Sequence, residues 1–355
     1  MIRALFIAVV LSLVAGSAQA QVMGGGPSAL ESLQERAQAG DPDAQYSLGI
    51  FYDKGDVLYG VPQDHILAAK WYKRAAAQGQ QMAALSLCRL FDQGLGVPQN
   101  YLEASRWCRK SAELGNAVAQ FGLGSYFYEG RGLRRDYAQA VAWFKQAAAQ
   151  GHYAAQYNLG DIYEQGRGVG QNFNEAARWF RKAAEQGVAA AQYNLGVLYR
   201  DGRGVTQDYA FAVKWFRKAA AQGQPDAQCM LGVLYDQGQG VPQNYAEAAN
   251  WYSLAAEQGD AQAQFNLGLL FGEGHGVPKS YEEAYFWLIL ASTSGEKQSS
   301  GARDKVASSL TPKQIASVQN RAHAWRPVRN QVVSSTPDVI FYDGYYHANL
   351  AAQVN

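Results

Sequence analysis

Along most of the chain, apolar residues recur at helical spacing in blocks punctuated by glycine. One block, Ala155 to Gly187, reads AQYNLGDIYEQGRGVGQNFNEAARWFRKAAEQG. Ala155, Leu159, Ile162 and Tyr163 fall on one stripe of an amphipathic helix. Gly166-Arg167-Gly168 ends that helix, because glycine adopts positive φ without a steric penalty. Asn172, with Glu175 three residues on, predicts a capping box that opens a second helix. Asn100/Glu103 and Asn244/Glu247 repeat the box. Ala176, Phe180 and Ala183 mark the buried stripe of the second helix, and Gly187 stands where a left-handed residue closes it. The block is thus expected to be a helix hairpin with a loop of about eight residues. Gly160 sits mid-helix at a cost of about 1 kcal/mol against alanine. Gly49, Gly124, Gly196, Gly232 and Gly268 stand in the same place. This predicts a close helix crossing there, with Ala176 as the facing small residue.

The block recurs. Trp71, Trp107, Trp143, Trp179, Trp215, Trp251 and Trp287 follow one another at intervals of 36 residues. Gly79, Gly115, Gly151, Gly187, Gly223, Gly259 and Gly295 do the same. A fixed period of this length signals a repeat array. A lone hairpin cannot bury its apolar side, whereas stacked neighbours bury it in a continuous core. A tryptophan in every unit is a packing residue on this reading. The first unit alone carries an insertion, around Asp56 to Tyr59.

Leu159-Gly160-x-x-Tyr163 followed by Ala176-x-x-x-Phe180 resembles the tetratricopeptide core. The 36-residue period, the G-x-G-V loop and the W-[YF]-[KR]-[KR]-A-A ending resemble Sel1-like repeats. The resemblance implies an all-α, right-handed α-solenoid of seven hairpins over residues 41–295, acting as an adaptor or scaffold between proteins. Residues 21–40 are expected to hold a lead-in and a capping helix, Ala29 to Ala39, closed by Gly40. Residues 296–326 are expected to form two C-terminal capping helices, Glu296 to Ser309 and a second running from a Thr311/Gln314 capping box to about Trp325. Residues 327–355 lose the pattern and are expected to be an irregular tail.

Composition narrows the classes. The chain has 355 residues, 48% hydrophobic and 17% charged, with 31 Lys+Arg against 30 Asp+Glu. That apolar content excludes a disordered chain, and the charge balance argues against a nucleic-acid binder. Residues 1–20, MIRALFIAVVLSLVAGSAQA, read as a signal peptide: Arg3, an apolar run to Val14, then Ala18-Gln19-Ala20 as the cleavage pattern. The mature chain is expected to be exported to the periplasm or the medium, monomeric, and without an integral membrane segment.

Stacking turns repeat positions into ladders. Asp53, Asp92, Glu129, Glu164, Asp201, Asp236 and Glu273 end the first helices, and Tyr46, Phe121, Tyr157, Tyr193 and Phe265 lie three residues before the mid-helix glycine. By the tetratricopeptide analogy both line the concave side, where they would make an acid-edged, aromatic-floored groove for a protein partner of unknown identity. Solvated acids and core aromatics are the plainer readings of the same ladders. Cys88 takes the mid-helix glycine position and Cys108 the phenylalanine position of one hairpin. A bridge between them and two buried free thiols both fit. Cys229 replaces a ladder aromatic and has no sequence partner. The five histidines show no metal-ligand spacing. The loop glycines complete no phosphate-binding motif, so no metal, cofactor or catalytic residue is expected. Ser294-Gly-Glu-Lys297 is an isolated S-x-x-K match. It carries the alternative reading, a secreted β-lactamase-like or peptidoglycan-associated enzyme such as some cysteine-rich relatives are described to be.

Overall fold

The computed structural model describes residues 29–56 and 59–328. The expected leader, the glycine-rich lead-in and nearly all of the expected tail lie outside the described residues. Within them the chain is helical, and the one β contact is an isolated bridge between Asp56 and Val61 in the first-repeat insertion. The chain divides into two compact units, up to Gln80 and from Gln81 onward.

The first unit holds α1 (Ala29–Gln38), α2 (Pro42–Lys54) and α3 (His65–Ala77). Asp41 opens α2 by accepting from the Asp43 and Ala44 amides, with Pro42 at the first turn, where no intrahelical donor is lost. Ala37 of α1 is buried with Ala44 and Leu48 of α2.

The second unit holds six further hairpins: α4 (Gln81–Gln93) with α5 (Tyr101–Glu113), α6 (Ala117–Glu129) with α7 (Tyr137–Ala149), α8 (Tyr153–Gln165) with α9 (Phe173–Glu185), α10 (Ala189–Asp201) with α11 (Tyr209–Ala221), α12 (Pro225–Gln237) with α13 (Tyr245–Glu257), and α14 (Ala261–Glu273) with α15 (Tyr281–Thr293). Each second helix also packs on the first helix of the next hairpin, which makes the unit a solenoid. Most core clusters of this unit draw on adjacent hairpins. Trp179 of α9, for instance, packs among Val141, Phe144 and Ala148 of α7.

The loop glycines build the joint between hairpins. Gly166 and Gly168 both have φ of 71°. A Cβ on Gly168 would lie 2.3 Å from the Cβ of Tyr137, the first residue of the preceding hairpin's second helix, so only glycine fits. A Cβ on Gly160 would lie 2.5 Å from the Phe180 ring, so that ring lies on the glycine at the crossing. One sequence expectation needs correction. The Asn100, Asn172 and Asn244 side chains do accept from the amides of Glu103, Glu175 and Glu247. Among the described residues, though, the reciprocal half of the box forms at Thr311/Gln314. Glu103 and Glu175 turn instead to Arg106 and Arg178, one turn further on.

Two helices, α16 (Ser299–Ala307) and α17 (Pro312–Ala324), cover α15. Val318, Ala322 and Trp325 close over Phe286, Trp287 and Leu290. Beyond α17 the Val328 amide donates to the Glu257 carbonyl at 2.8 Å, which brings the chain back to the end of α13.

Candidate interaction surface

Side chains that recur every 36 residues either build the joints or face outward, and the structure sorts them. Gln120, Gln156, Gln192, Gln228 and Gln264 are buried on the first helices. Each donates to a carbonyl in the last turn of the preceding second helix, as in Gln156 to Ala148 at 3.2 Å and Gln192 to Ala184 at 3.0 Å. The last four carbonyls of a helix have no intrahelical donor, so the amide fills a real vacancy. Each of the first four also accepts from a glutamine just past its own hairpin's second helix: Gln150, Gln186, Gln222 and Gln258, at 2.7–2.8 Å. Gln45 and Gln78 make the same pair in the first unit. This clamp joins hairpin to hairpin and was missed in the sequence, although its period of 36 was there to be read. Two hairpins depart from it. In the second repeat both partners are absent together, as Ala84 and Leu114, and Gln81 bonds the Leu114 carbonyl instead. In the seventh, Ser294 stands where the outer glutamine belongs, and the buried Gln264 Oε1 has no donor among the described residues.

The aromatic ladder is split by depth. Phe121 and Phe265 are core residues, 5% and 8% exposed. Phe121 stacks on the buried His152 ring at 4.6 Å. Tyr46, Tyr157 and Tyr193 are half-buried, each against the second-helix ring of its own hairpin: Tyr72, Phe180 and Phe216. Tyr157 also lies beside Asn194 of the next hairpin. Burial pushes the Tyr193 hydroxyl up to about 12. Cys229, at the same ladder position, is buried beside Asp260, and burial raises its thiol.

The acidic ladder lies at the joints, and loop cations meet much of it. Arg131, between Gly130 and Gly132, reaches Asp92 of the preceding hairpin at 4.0 Å and Glu129 of its own at 3.4 Å. Arg203 bridges Glu164 and Asp201 in the same way, at 3.5 and 3.4 Å. His275 sits 3.1 Å from Glu273 and stacks on Tyr245. Asp92 also accepts from the Tyr126 hydroxyl at 2.7 Å, Asp236 lies near Tyr252, and Asp53 bonds Tyr72 and His65. Burial is the largest influence on Glu129, Glu164 and Asp236 and raises all three carboxyls. Seven acids aligned in sequence are therefore not a free anionic edge. Loop arginines meet four of the seven, Asp92, Glu129, Glu164 and Asp201, and the residue at that loop position varies from repeat to repeat, which hides the pairing behind the 36-residue period.

Cys88 and Cys108 form a disulfide, with Cα atoms 5.1 Å apart. It stands where five other hairpins lay a ring on glycine and the seventh lays Leu288 on Gly268. Ser294 is exposed at the end of α15, its amide bonded to the Leu290 carbonyl at 3.0 Å, and Lys297 is exposed. Among the described residues no group of His, Cys, Asp and Glu could hold a metal ion, and no helix is long and apolar enough to cross a membrane.

Comparison with known proteins places this architecture. The chain is similar to a protective antigen present in uropathogenic Escherichia coli strains that displays an SLR fold: 33% identity over 83% of this chain and 71% of that one, TM-score 0.59. It is similar in the same degree to a Sel1 repeat protein from Oxalobacter formigenes: 30% identity over 84% of this chain and 99% of that one, TM-score 0.59. None of the curated proteins matches. The family model described as Sel1 repeat matches seven times in succession, at residues 42–80, 81–116, 117–152, 154–188, 189–224, 225–260 and 261–296. The chain belongs to the Sel1 repeat family.

Proposed function

We propose that this chain is a non-enzymatic scaffold that holds a protein partner in the bacterial cell envelope or outside the cell. Sel1 repeat proteins are typically protein-interaction scaffolds and generally not enzymes. The observation that carries the reading is the sorting of the repeated side chains. Glutamine clamps, glycine–ring contacts and arginine–acid bridges are used up inside the array, and what remains in register is surface. Half-buried Tyr157 and Tyr193 offer a partner ring edges and hydroxyls on adjacent hairpins, the kind of rigid amphipathic contact that dominates interfaces. Two features support export: the leader-like first 20 residues, and a disulfide of the kind that persists in oxidising compartments. The protective-antigen description of the Escherichia coli relative is in keeping with it.

The test places a photo-crosslinking residue at Tyr157, at Tyr193 and at exposed Gln139 in the native host, followed by fractionation. The reading expects a discrete protein adduct from the tyrosine positions in an envelope or medium fraction. Absence of adducts at every position, or a protein confined to the cytoplasm with its leader intact, would falsify it.

A further inference from the structure

Charge in the second unit is sharply segregated. Residues 81–224, the second to fifth repeats, carry 17 Lys+Arg and 11 Asp+Glu, a net +6. Residues 225–296, the last two repeats, carry 1 and 9, a net −8. A formal charge near zero for the whole chain conceals both.

The positive charge concentrates on the second helices. Arg109, Lys145, Arg181 and Arg217 occupy the same helical position in four successive hairpins. Each rests on an aromatic ring of the next hairpin: Phe127, Tyr163, Tyr199 and Tyr235, at 5.6 to 6.0 Å from the ring centroid. Arg181 and Arg217 also donate to the hydroxyls of their tyrosines, at 2.6 and 2.5 Å. A second row, Lys110, Lys182 and Lys218, lies over Trp107, Trp179 and Trp215 at 4.5 to 5.6 Å. Among the described residues no carboxylate pairs with any of these seven. The contrast with the joints is direct, since Arg131 and Arg203 are neutralised there by acids. A ring face holds a cation without cancelling its charge and restricts its rotamers before any partner arrives. The ladder then stops: the next two hairpins have Ser253 and Leu254, then Ile289 and Leu290, at the two positions.

We infer that the second helices of repeats two to five form a docking ladder for an acidic, extended segment of a partner protein. This rests on the scaffold reading and names the chemistry of the partner. Three observations favour a polypeptide over a continuous polyanion. Exposed Glu113 and Glu185 interrupt the cations and would repel an unbroken line of phosphates or uronates. Exposed Leu102 and Phe211 lie on the same helices and offer apolar contact. Beside Arg181 there is an open depression of about 360 Å³, lined by Arg181, Tyr199, Val205, Thr206, Gln207, Asp208 and Phe211, with room for one side chain of a bound segment. Successive rungs are at least one helix-packing distance apart, on the order of 10 Å. An extended segment in the polyproline II conformation turns once every three residues and advances about 3.1 Å per residue, so carboxylates at every third residue share one face and meet successive rungs.

The probe is a synthetic peptide with glutamate at every third residue and one central phenylalanine. A peptide of the same composition with its glutamates gathered at one end serves as comparison. Binding is followed by fluorescence anisotropy on the full chain, at low and physiological salt. The spaced peptide should bind more tightly, and Lys145→Glu/Arg181→Glu/Arg217→Glu should weaken it at least about tenfold. An off-ladder variant with the same change in net charge, Arg134→Glu/Lys297→Glu/Lys313→Glu, should weaken it by less than about threefold. Lys145→Gln/Arg181→Gln/Arg217→Gln, with native circular dichroism, should weaken it in the same direction, which guards against misfolding. Equal loss in the on- and off-ladder variants overturns the inference, as does no preference between the peptides. Tighter ladder-dependent binding of heparin or duplex DNA than of the spaced peptide also overturns it, in favour of a continuous polyanion. If no peptide binds but adducts at Tyr157 or Tyr193 persist, this inference falls and the scaffold reading stands; if the adducts are absent too, both fall.

Discussion

Gly160 has no room for a methyl group, and that one fact accounts for a mid-helix glycine in six of the seven hairpins. A Cβ there would lie 2.5 Å from Phe180, whose ring is fully buried and has nowhere to go. Gly160→Ala is therefore expected to destabilise by about 1–3 kcal/mol through overpacking, despite alanine's better helix propensity. Gly301 in α16 has nothing within reach of a Cβ, so Gly301→Ala should be neutral or stabilise by up to about 1 kcal/mol. Thermal unfolding of the two variants separates crowding from propensity, and a neutral Gly160→Ala would mean that the ring can move. His152 gives a second single-residue expectation. It is 7% exposed, stacks on Phe121 and opens α8 by accepting from the Ala155 amide. Burial lowers its pKa from 6.5 to about 4. Between those values the unfolded chain binds the proton and the folded chain does not, so this contribution to stability is complete above pH 6.5 and is lost as pH falls toward 4. The loss amounts to roughly 3 kcal/mol. His152→Asn keeps an N-cap and removes the titration. Denaturation from pH 7 to 4 should show the wild type losing stability relative to the variant, and parallel pH profiles would count against a neutral buried imidazole.

At the scale of helices and loops, the hairpin is the unit the sequence states most plainly. Period, breakers and caps gave both helices, the two positive-φ loop glycines and the closing Gly187 directly. Less legible was what each repeated side chain touches. Periodicity aligns residues but carries no direction, and the partners that matter sit in the neighbouring hairpin. Asp92 and Glu164 read as a free acidic edge because the cations that meet them, Arg131 and Arg203, occupy a loop position that is Leu95, Arg167, Gln239 or His275 elsewhere. Tyr157 and Phe121 share a sequence position, yet one is half-buried and the other is core, a difference that neighbours such as His152 set. The glutamine clamp went unread for a related reason: buried polar residues break the apolar stripe, and their logic appears only when the orphan carbonyl of the preceding helix is in view. That logic makes a prediction at the open end of the clamp. Ser294→Gln would supply the donor that Gln264 Oε1 lacks, and should add on the order of 1 kcal/mol. Hydrogen exchange in α14 and α15 should slow accordingly, whereas unchanged exchange would mean that the acceptor is already satisfied in solution.

For the molecule as a whole, stability in a repeat array is a sum of hairpin terms and nearest-neighbour interfaces, so a hairpin without a neighbour on one side is the weak point. The last hairpin has no eighth repeat beyond it, and α16 and α17 take that place. Phe286, Trp287 and Leu290 of α15 are between 5% and 9% exposed, with Val318, Ala322 and Trp325 over them. Arg321 adds a two-pronged bond to Glu283, at 2.7 and 2.8 Å, and lies 3.9 Å above the Phe286 ring. That placement adds a cation-on-ring contact across the capping interface. Removing residues 296–355 uncovers these three large side chains, each contributing about 1.5–3 kcal/mol when fully buried. The expected result is a protein whose seventh hairpin exchanges its amides far faster than in the full chain. The second to fifth hairpins, held by their own interfaces and by the Cys88–Cys108 bridge, should keep most of their protection. Removing only residues 329–355 leaves both capping helices in place and should leave the seventh hairpin protected. If the two truncations loosen the array equally, the tail rather than the capping helices stabilises its end; if neither does, the last hairpin stands without a neighbour and the nearest-neighbour account of the array is wrong.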